Sequence, residues 1–379
     1  MNQSRVIKKI TVLGCGLVGS AIAVDLCRDY NVTVSDSDFE KLSEVQSKNP
    51  LRIIQSDFLN QSELKRIVED SELVISAVPG AIGFKVLKSL VELNKNVVDI
   101  SFFAEDPFEL DEEAKKRNLT VVVDCGVCPG LSNIILGHYI KIFKINKYSV
   151  YVGGLPLNPK PPFNYKAPFS PSDVIEEYTR PARFVENTKV ITREALSDVE
   201  LINFTKAGQL EAFNTDGLRT LLTTIQIPNM KEKTLRYPGH SQLIKAFRDS
   251  GFFDKDEILI DDKLIKPIEL TSKLLYKHWK LEKGEKEFTV MKIVIETDNE
   301  IINYELYDEY DEQTQTTSMA RTTGYTCTAV ARLILENKFK LTGIIPPEYL
   351  SENEKDFNFI LDYLQKKNIQ LQKSEGKLN

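Results

Sequence analysis

The sequence KKITVLGCGLVG, residues 8–19, decides the fold of the first third of the chain. Its apolar first half is typical of a buried β-strand, and a glycine turn (residues 14–19) follows at once. A helical pattern then runs to Asp29, and a second strand, residues 31–35, leads into Asp36. A strand, glycine turn, helix and strand, with an acid about 20 residues after the turn, indicate a βαβ unit that binds a dinucleotide.

The residues of the glycine turn have different predicted tasks. Gly14 permits the tight turn, Gly16 lets the backbone approach a pyrophosphate, and Gly19 lets the helix pack on the strand. Leu17 and Val18 begin the helix, whose free N–H groups are expected to hold the phosphates. The alternative is a glycine-rich turn in an unrelated α/β protein, but the flanking strand, helix and acid disfavour it.

The residues around Asp36 favour NAD over NADP. Asp36 is expected to bind the ribose hydroxyls, with Ser37 beside it. Neither Ser35, Ser37 nor Asp38 is a cation, so a 2′-phosphate would face two carboxylates. Asp57, which follows the next strand, is either an adenine contact or an ordinary acid at a helix start.

Strands and helices continue to alternate as far as residue 124. The predicted strands are 52–55, 73–78, 96–100 and 119–124, and the predicted helices are 61–69, 84–93 and 109–117. This alternation predicts an α/β Rossmann fold with a doubly wound parallel sheet. Ligands bind beyond the carboxyl ends of such strands. The residues expected to line that cleft are Ala77, Val78, Pro79, Asp99, Ser101, Phe102 and residues 125–130.

The pattern changes in the middle of the chain. A predicted strand, 148–152, stops at GGLP and is followed by a proline-rich loop, residues 156–171. Further predicted strands (182–190, 288–297, 301–310) and separate helices (242–250, 269–280) indicate an α+β second domain. Residues 317–337 and 352–367 predict helices that return to the nucleotide-binding domain.

Composition limits the classes of partner. The 379 residues carry a net charge of -6, which argues against nucleic acid or an anionic membrane as a main partner. No apolar run approaches the roughly 20 residues that span a bilayer, and the first residues have no apolar signal core. Five irregularly spaced cysteines suit a reducing compartment. We therefore expect a cytoplasmic protein that acts on a small molecule.

Several segments together resemble the saccharopine dehydrogenase-like family, and within it most closely the L-lysine 6-dehydrogenases. They follow the family's order over nearly the whole chain. Besides the glycine turn they are VDCGVCPGLSN (123–133), GGLP (153–156), EAFNTDGLRTL (211–221), KTLRYPGH (233–240), MARTTGYTCTAVAR (319–332) and GIIPPE (343–348).

The resemblance implies NAD-dependent oxidation of the ε-amine of L-lysine. The products would be ammonia and 2-aminoadipate 6-semialdehyde, which cyclises to piperideine carboxylate. It also implies a homodimer whose second domain carries a sheet used in dimer contact and substrate binding. The expected division is 1–127 as the NAD-binding domain, 128–316 as the α+β substrate-binding and dimerisation domain, and 317–379 as C-terminal helices packed on the first domain.

One segment departs from the saccharopine-forming relatives. They carry Asn-Arg-Asp where this chain has Asn214-Thr215-Asp216, and the missing arginine removes a partner for a carboxylate. That favours a substrate with fewer carboxylates, such as lysine. Cys128 stands where lysine dehydrogenases tend to have a small apolar residue, which alters the local pocket. The substrate-contact candidates are Ser101, Phe102, Cys128, Pro129, Gly130, Gly153, Gly154, Thr215, Asp216 and Arg236.

Amine oxidation needs a neutral amine, a hydride acceptor and a route for the proton. His240, with an unperturbed pKa near ~6.5, suits a proton relay, although a structural role is the default for a histidine. Arg236 is a candidate partner for the substrate carboxylate or a member of a structural ion pair. Asp124 and Asp216 are candidate partners of the α-amine, and Tyr237 is a candidate hydrogen-bond donor; each is alternatively a turn residue.

Cys125 and Cys128 have the CxxC spacing of a redox pair or half a zinc site. No second CxxC and no suitably spaced histidine accompanies them, so we expect no metal and interpret the segment as a turn with two thiols.

Two other functions stay open. One is an imine-reducing dehydrogenase of the saccharopine or carboxynorspermidine type, which joins an amino acid or polyamine to a semialdehyde. The other is a non-catalytic NAD-binding sensor or scaffold, because a fold alone does not prove activity. The second-domain segments are retained, which weighs against the sensor.

Overall fold

A computed structural model of the chain describes residues 7–168, 171–336 and 338–378, without the side chains of residues 171 and 172. These residues form two compact units. The first unit comprises the described residues up to His138 together with Ala320–Asn368. The second unit comprises Tyr139–Met319 and the described residues from Ile369 onward. The units therefore divide at 138/139, 319/320 and 368/369, beside the expected divisions at 127/128 and 316/317.

The described residues form eighteen strands and twelve α-helices. The strands are β1 Lys9–Leu13, β2 Asn31–Asp36, β3 Arg52–Gln55, β4 Leu73–Ser76, β5 Val97–Asp99, β6 Thr120–Val122, β7 Ile145–Pro156, β8 Ala182–Glu186, β9 Lys189–Arg193, β10 Glu200–Phe204, β11 Gly208–Asn214, β12 Asn229–Arg236, β13 Ile258–Ile260, β14 Lys263–Ile265, β15 Glu287–Thr297, β16 Glu300–Glu309, β17 Gly343–Ile345 and β18 Leu371–Lys377. The helices are α1 Leu17–Leu26, α2 Phe39–Lys48, α3 Gln61–Val68, α4 Gly80–Glu92, α5 Asp111–Lys116, α6 Leu131–Tyr139, α7 Pro171–Thr179, α8 Leu221–Thr224, α9 His240–Asp249, α10 Pro267–Trp279, α11 Ser318–Leu335 and α12 Glu354–Lys366.

The first unit is built on a seven-stranded parallel sheet in the order β17-β6-β5-β4-β1-β2-β3. Its central strands β1 and β4 are mostly apolar and are buried except for Lys9, as in a parallel sheet covered on both faces. The chain winds outward from β1 to β3 and then crosses to β4 on the other side of β1. This reversal confirms the predicted doubly wound α/β fold, in which ligands bind at the point where the strand order reverses.

The second unit contains a mixed nine-stranded sheet in the order β10-β11-β12-β7-β15-β16-β18, and β8 and β9 continue it beside β12. Its long strands β7 and β15 are antiparallel, whereas β12 and β7 are parallel. An apolar cluster that includes Phe213 of β11, Tyr178 of α7, Ile244 of α9 and Trp279 of α10 joins these helices to the sheet. A mixed sheet with separate helices confirms the predicted α+β second part.

Two segments differ from the prediction. Residues 182–190 were expected as one strand, but the chain turns at Asn187 and Thr188, which have φ of 49° and 68°, and forms the β8–β9 hairpin. Residues 371–377 were expected among C-terminal helices on the first domain, but they form β18, which pairs with β16 in the second unit. The sequence LQKSEGK is polar throughout because β18 is an exposed edge strand, so it carries no apolar alternation to detect.

None of the helices within the described residues is both long enough and apolar enough to cross a bilayer.

Candidate nucleotide and substrate sites

The glycine turn follows β1 at the reversal point of the first unit. Gly14 has φ of 99°, and its N–H donates to the Ser35 carbonyl at 2.8 Å. A Cβ on Gly14 would lie 2.3 Å from the Ala77 carbonyl oxygen, and a Cβ on Gly19 would lie 2.2 Å from the Gly14 carbonyl oxygen. Both positions therefore require glycine, for the conformation of the turn and for the packing of α1 on it.

Gly16 has a different environment. Among the described residues, a Cβ on Gly16 would meet no atom within 4 Å. Gly16 caps α1, and no side chain bonds the first N–H groups of this helix, whereas the Asp38 side chain accepts from two N–H groups at the start of α2. Leu17 is exposed and Val18 is half-buried at this end of α1. An uncapped helix start beside a glycine with open space in front of it fits the phosphates of a dinucleotide.

Strand β4, which lies next to β1, leads into a second uncapped helix start, that of α4. The Ala77 N–H donates to the Leu13 carbonyl at 2.8 Å, which fixes the end of β4 beside β1. Val78 is buried, and the exposed Pro79 precedes α4, whose first turn also lacks a side-chain cap. The structure thus brings residues 77–79 next to the glycine turn, as the cofactor prediction requires.

Asp36 lies at the end of β2, where its carboxylate accepts the N–H groups of Cys15 at 2.6 Å and Asp38 at 2.9 Å. Ser37 beside it is exposed. Lys41, which the sequence prediction did not consider, forms an ion pair with Asp38 at 3.3 Å. The pair is exposed, so the charge near the predicted ribose position is one carboxylate and one ion pair.

Asp57 is placed in the turn before α3. It accepts the N–H of Leu59 at 2.9 Å. The cap of α3 is Asn60, whose side chain accepts two N–H groups at the start of the helix. Asp57 therefore stabilises a turn one step before the helix that it was expected to cap.

Two buried acids lie at the carboxyl ends of strands β5 and β6. Ser101 donates its N–H at 2.9 Å and its hydroxyl at 3.1 Å to Asp99, and burial raises the pKa of Asp99 to about 7. Asp124 is 3% exposed and has φ of 50°, an unusual conformation for a residue other than glycine. The Phe102 carbonyl lies so close to Gly80 that a Cβ there would be 2.4 Å from its oxygen. Strained residues of this kind concentrate at functional sites.

The turn of residues 125–130 closes on itself. The Gly126 N–H donates to the Pro129 carbonyl at 3.1 Å, and a Cβ on Gly130, which has φ of 130°, would lie 1.9 Å from the Gly126 oxygen. The Cys128–Pro129 peptide bond is cis. Cys125 and Cys128 are free thiols, and no cluster of metal-binding side chains occurs among the described residues.

In the second unit, Arg236 is the centre of a buried polar cluster that we call the Arg236 network. Arg236 is 2% exposed and donates to the Tyr178 hydroxyl at 3.1 Å, the Glu177 carboxylate at 2.9 Å and the Tyr165 hydroxyl at 3.3 Å. Burial raises the pKa of Glu177, and Arg236 opposes that rise. The guanidinium is thus engaged in a structural ion pair, the alternative that the sequence left open beside a substrate carboxylate. The network is Arg236, Glu177, Tyr165, Tyr178 and His240.

His240 is fixed in one neutral form by this network. Its Nδ1 lies 2.9 Å from the Phe163 carbonyl, which only accepts, so Nδ1 carries the proton. Its Nε2 then accepts from the Tyr178 hydroxyl at 2.9 Å. Burial, followed by the nearby Arg236 charge, lowers the pKa of His240 to about 3. His240 is therefore neutral at physiological pH and does not titrate near 6.5, as a proton relay by charge change would require.

Phe163 and Tyr165 belong to the proline-rich loop of residues 156–171. Both pack inside the apolar cluster of the second unit. Residues 169 and 170 of that loop lie outside the described part of the chain.

The segment 214–216 contacts Glu232 of β12, a group that the sequence analysis missed. Asp216 forms a bidentate ion pair with Arg183, at 2.8 Å for both contacts, so its carboxylate is already paired. The Thr215 hydroxyl donates to Glu232 at 2.7 Å and contacts the Thr234 hydroxyl at 2.9 Å. Glu232 is 3% exposed, and burial raises its pKa to about 8. No periodic signal marks Glu232, because it lies in the charged run KEK of β12.

Tyr237 and the glycines of GGLP lie elsewhere in the second unit. The Tyr237 hydroxyl donates to the Pro156 carbonyl at 2.9 Å, and its ring packs against Phe288. A Cβ on Gly153 would lie 2.5 Å from the Leu235 oxygen, and a Cβ on Gly154 would lie 2.7 Å from Pro168. The structure therefore places Tyr237 outside the Arg236 network and gives both glycines a packing reason within this unit.

Comparison with known proteins supports one family for both units. The family model described as saccharopine dehydrogenase C-terminal domain matches residues 126–369, and that described as saccharopine dehydrogenase NADP binding domain matches residues 10–122. The chain is 26% identical over 268 residues to mitochondrial alpha-aminoadipic semialdehyde synthase of Mus musculus. It is 29% identical over 269 residues to saccharopine dehydrogenase [NADP(+), L-glutamate-forming] of Pyricularia oryzae.

These sequence matches cover 66% of this chain, but only 29% of the mouse protein and 59% of the fungal one. Among solved structures, apo saccharopine dehydrogenase (L-Glu forming) from Saccharomyces cerevisiae has a TM-score of 0.79 at 20% identity and covers 97% of this chain and 100% of its own. Homospermidine synthase from Legionella pneumophila in complex with NAD has a TM-score of 0.68 at 13% identity, and covers 97% and 91%. At these identities the structures show the fold.

Proposed function

The chain belongs to the saccharopine dehydrogenase family, and from this premise we propose that it is an NAD-dependent dehydrogenase that oxidises the ε-amine of L-lysine to 2-aminoadipate 6-semialdehyde and ammonia. When bound, the nicotinamide supplies the hydride-accepting chemistry. The residues of this chain that would hold the dinucleotide are those of the glycine turn, Asp36 and residues 77–79. The open space at Gly16 and the uncapped start of α1 fit such a ligand.

The observation that carries the substrate proposal is the balance of buried charge around Thr215. The exposed Arg183 is paired with Asp216, and the buried Arg236 is paired with Glu177, so neither guanidinium is left without a carboxylate. Glu232 has no ion-pair partner among the described residues, and its pKa is about 8. A buried carboxyl without an ion-pair partner favours an ammonium-bearing substrate over one with an additional carboxylate. Lysine fits that description better than a tricarboxylic conjugate.

Glu232 also suits the proton chemistry of the reaction. The amine must lose a proton before its carbon gives up a hydride, and a carboxyl with a pKa near the working pH exchanges protons most effectively. We propose Glu232 as the group whose ionisation the substrate ammonium stabilises. The variant Glu232→Gln should abolish the dependence of kcat/KM on a group titrating near pH 8, whereas Glu200→Gln, at a half-buried, ion-paired carboxylate of the same sheet, should leave it in place.

The preference for NAD over NADP is part of the proposal. Asp36 and Asp38 follow β2, where the 2′-phosphate of NADP is expected to bind, and Lys41 beside them is already paired with Asp38. Three of the relatives carry NADP in their names, so a preference for NAD would separate the chain from them.

We also propose a homodimer assembled through the second unit. On β15 and β16 alternate side chains are buried, whereas those between them, such as Lys292, Val294 and Glu305, are half-buried. A sheet face of that kind is suited to a partner copy. Sedimentation at micromolar concentration should give the mass of two chains.

The test of the reaction is to follow absorbance of the reduced cofactor with the purified full chain. Reduction of NAD by L-lysine, with little reduction of NADP, is the expected result. A different result would replace this proposal by the imine-reducing alternative. In that case lysine would cause no change in absorbance, but NADH or NADPH would be oxidised in a mixture of 2-aminoadipate semialdehyde with glutamate or a diamine. That alternative is favoured by the names of the saccharopine dehydrogenase and homospermidine synthase relatives. Tight binding of NAD without any turnover would favour the sensor.

A further inference from the structure

A cavity of about 600 Å³ lies in the second unit, away from the Arg236 network. Its floor is formed by side chains of β12 and β7 on one face of the sheet, because Lys231 pairs with Ser149 and Lys233 with Tyr151 in register. Asn214 of β11 pairs with Lys233 and extends the same row. The β8–β9 hairpin and the start of β10 line the rest, through Glu186, Arg193 and Glu200 among others.

Two of the residues that line this cavity each carry a buried polar atom that has no hydrogen-bond partner among the described residues. They are the Ser149 hydroxyl, on a residue 3% exposed, and the Asn214 amide oxygen, on a residue 1% exposed. The orientation of the amide is settled by its other end, because the Asn214 Nδ2 donates to the Asp198 carboxylate and the Ser197 hydroxyl, both at 2.9 Å. Leaving such atoms unpaired costs free energy, so a ligand that pairs them is stabilised.

The lysines beside Ser149 share one carboxylate. Lys231 and Lys233 both contact the same oxygen of Glu200, each at 2.8 Å. Lys233 also donates to the Asp198 carbonyl, and Lys231 lies over the ring of Tyr151. Two ammonium groups against one carboxylate leave a local excess of positive charge. A second carboxylate next to Ser149 would balance it and would accept the serine hydroxyl.

At the Asn214 end of the cavity, the unpaired atom needs a hydrogen-bond donor from the ligand. The Asn214 oxygen can only accept, so it needs an N–H or O–H donor. The Asp198 carboxylate lies within hydrogen-bond distance of the same amide, and an ammonium there would face both oxygens. Arg193 is already paired with Glu186 at 2.8 Å and with Asp198 at 3.3 Å, so it does not compete as that donor.

We propose that this cavity is a second binding site, which takes an ω-amino carboxylate, with the carboxylate at Ser149 and Lys231 and the ammonium at Asn214. The register places Asn214 and Ser149 two strands and two residues apart, on the order of 12 Å between Cα atoms at ~4.8 Å per strand and ~3.3 Å per residue. A chain of about five carbons spans this separation with a hydrogen bond of about 2.9 Å at each end. The site is defined by these contacts whether or not lysine is the substrate of the nucleotide-dependent reaction.

The probe is 6-aminohexanoate, titrated calorimetrically into the full chain without cofactor. We expect one site per chain, and at least about tenfold weaker binding of hexanoate or hexylamine, each of which lacks one charged end. Equal binding of either single-ended compound would overturn the zwitterion assignment. Absence of 6-aminohexanoate binding at millimolar concentration would overturn the site.

Substitutions at residues that line the cavity test whether 6-aminohexanoate binds there. Ser149→Ala and Lys231→Met should each weaken 6-aminohexanoate at least about tenfold. Ser149→Ala should also leave the melting temperature of the unliganded chain unchanged or higher, because an unpaired buried hydroxyl is removed. The matched control is Thr289→Val on β15, which removes another buried hydroxyl without a partner but does not line the cavity. If Ser149→Ala and Thr289→Val bind the probe equally well, the ligand lies elsewhere and the proposal fails.

Discussion

The glycine turn of the first unit and the Arg236 network of the second are built in opposite ways. In the turn, the groups offered to a ligand are backbone N–H groups at an uncapped helix start, beside Gly16, whose Cβ position has open space around it in the described part of the chain. In the network, every polar side chain already bonds another buried side chain or carbonyl. The turn is thus prepared for a ligand, whereas the network is prepared mainly to hold its own charges in place. A cluster of polar residues inside a motif is therefore not by itself a substrate site.

The largest effect that tests this comparison is expected from Arg236→Met. Removing the guanidinium leaves the Glu177 carboxylate, whose side chain is 19% exposed, without its cation. Breaking a fully buried pair typically costs about 3–5 kcal/mol of unfolding free energy, and we expect the lower end of that range here. Urea unfolding of the full chain measures it. The double variant Arg236→Met with Glu177→Gln should recover a large part of the loss, because the unpaired charge is gone.

An exposed ion pair serves as the control for Arg236. Arg193 bonds Glu186 at 2.8 Å, but both side chains are largely in water. Arg193→Met should therefore leave the unfolding midpoint within the error of the measurement. If Arg236→Met were equally mild, the network would not be structural, and Arg236 would return as a candidate for the substrate carboxylate.

The next effect concerns the glycine turn. Gly14→Ala places a Cβ 2.3 Å from the Ala77 oxygen at a φ of 99°, and we expect a loss of about 3 kcal/mol together with loss of NADH binding. Gly208→Ala is the matched control, because Gly208 has φ of 72° but no atom within 4 Å of its Cβ position. It should show only the strain, about 1 kcal/mol. Equal losses would mean that the close approach of β4 to the turn contributes nothing.

The difference between the regions also explains what was predictable from sequence. The strand, glycine turn, helix and Asp36 lie within thirty residues and follow from local spacing, so the nucleotide-binding fold was identified correctly. The network joins Arg236 to partners 58, 59 and 71 residues earlier in the chain. No spacing rule encodes such distances, and the segment KTLRYPGH identified the region without the pairing of its side chains.

Other features were missed for related reasons. Glu232 is buried between charged neighbours in sequence, so its environment comes entirely from the covering helices and strands. The edge strand β18 is polar, and its pairing with β16 depends on register across some 70 residues. Asp216 matched a motif, but only the fold showed that Arg183 already holds it. Motifs formed by residues close in sequence were therefore predictable, whereas the hydrogen bonds and ion pairs that distant residues make with them were not.

A smaller effect distinguishes the two dinucleotides at the glycine turn. Asp36→Ser removes the carboxylate expected to bind the ribose hydroxyls, so NADH should bind about tenfold more weakly. NADPH should bind as before or more tightly, because the repulsion of its phosphate falls. Fluorescence titration of both reduced cofactors measures the ratio, and Asp70→Ser, at an exposed acid paired with Lys9, should change neither affinity. A wild-type chain that already prefers NADPH would contradict the assignment of Asp36.

The smallest expected effect is the absence of a titration in the network. Because burial and Arg236 lower the pKa of His240 to about 3, its proton resonances should show no inflection between pH 5 and 8, and His240→Gln assigns them. The sign for stability follows from linkage: the unfolded histidine binds a proton below its ordinary pKa of about 6.5, while the folded one does not until about pH 3. Stability from this residue is therefore present above pH 6.5 and is lost as the pH falls towards 3, and His240→Gln should flatten that part of the profile. In urea the missing inflection should return near ~6.5. An inflection near neutrality in the folded chain would instead make His240 a titrating group, and the network would then resemble a reactive site more than a structural one.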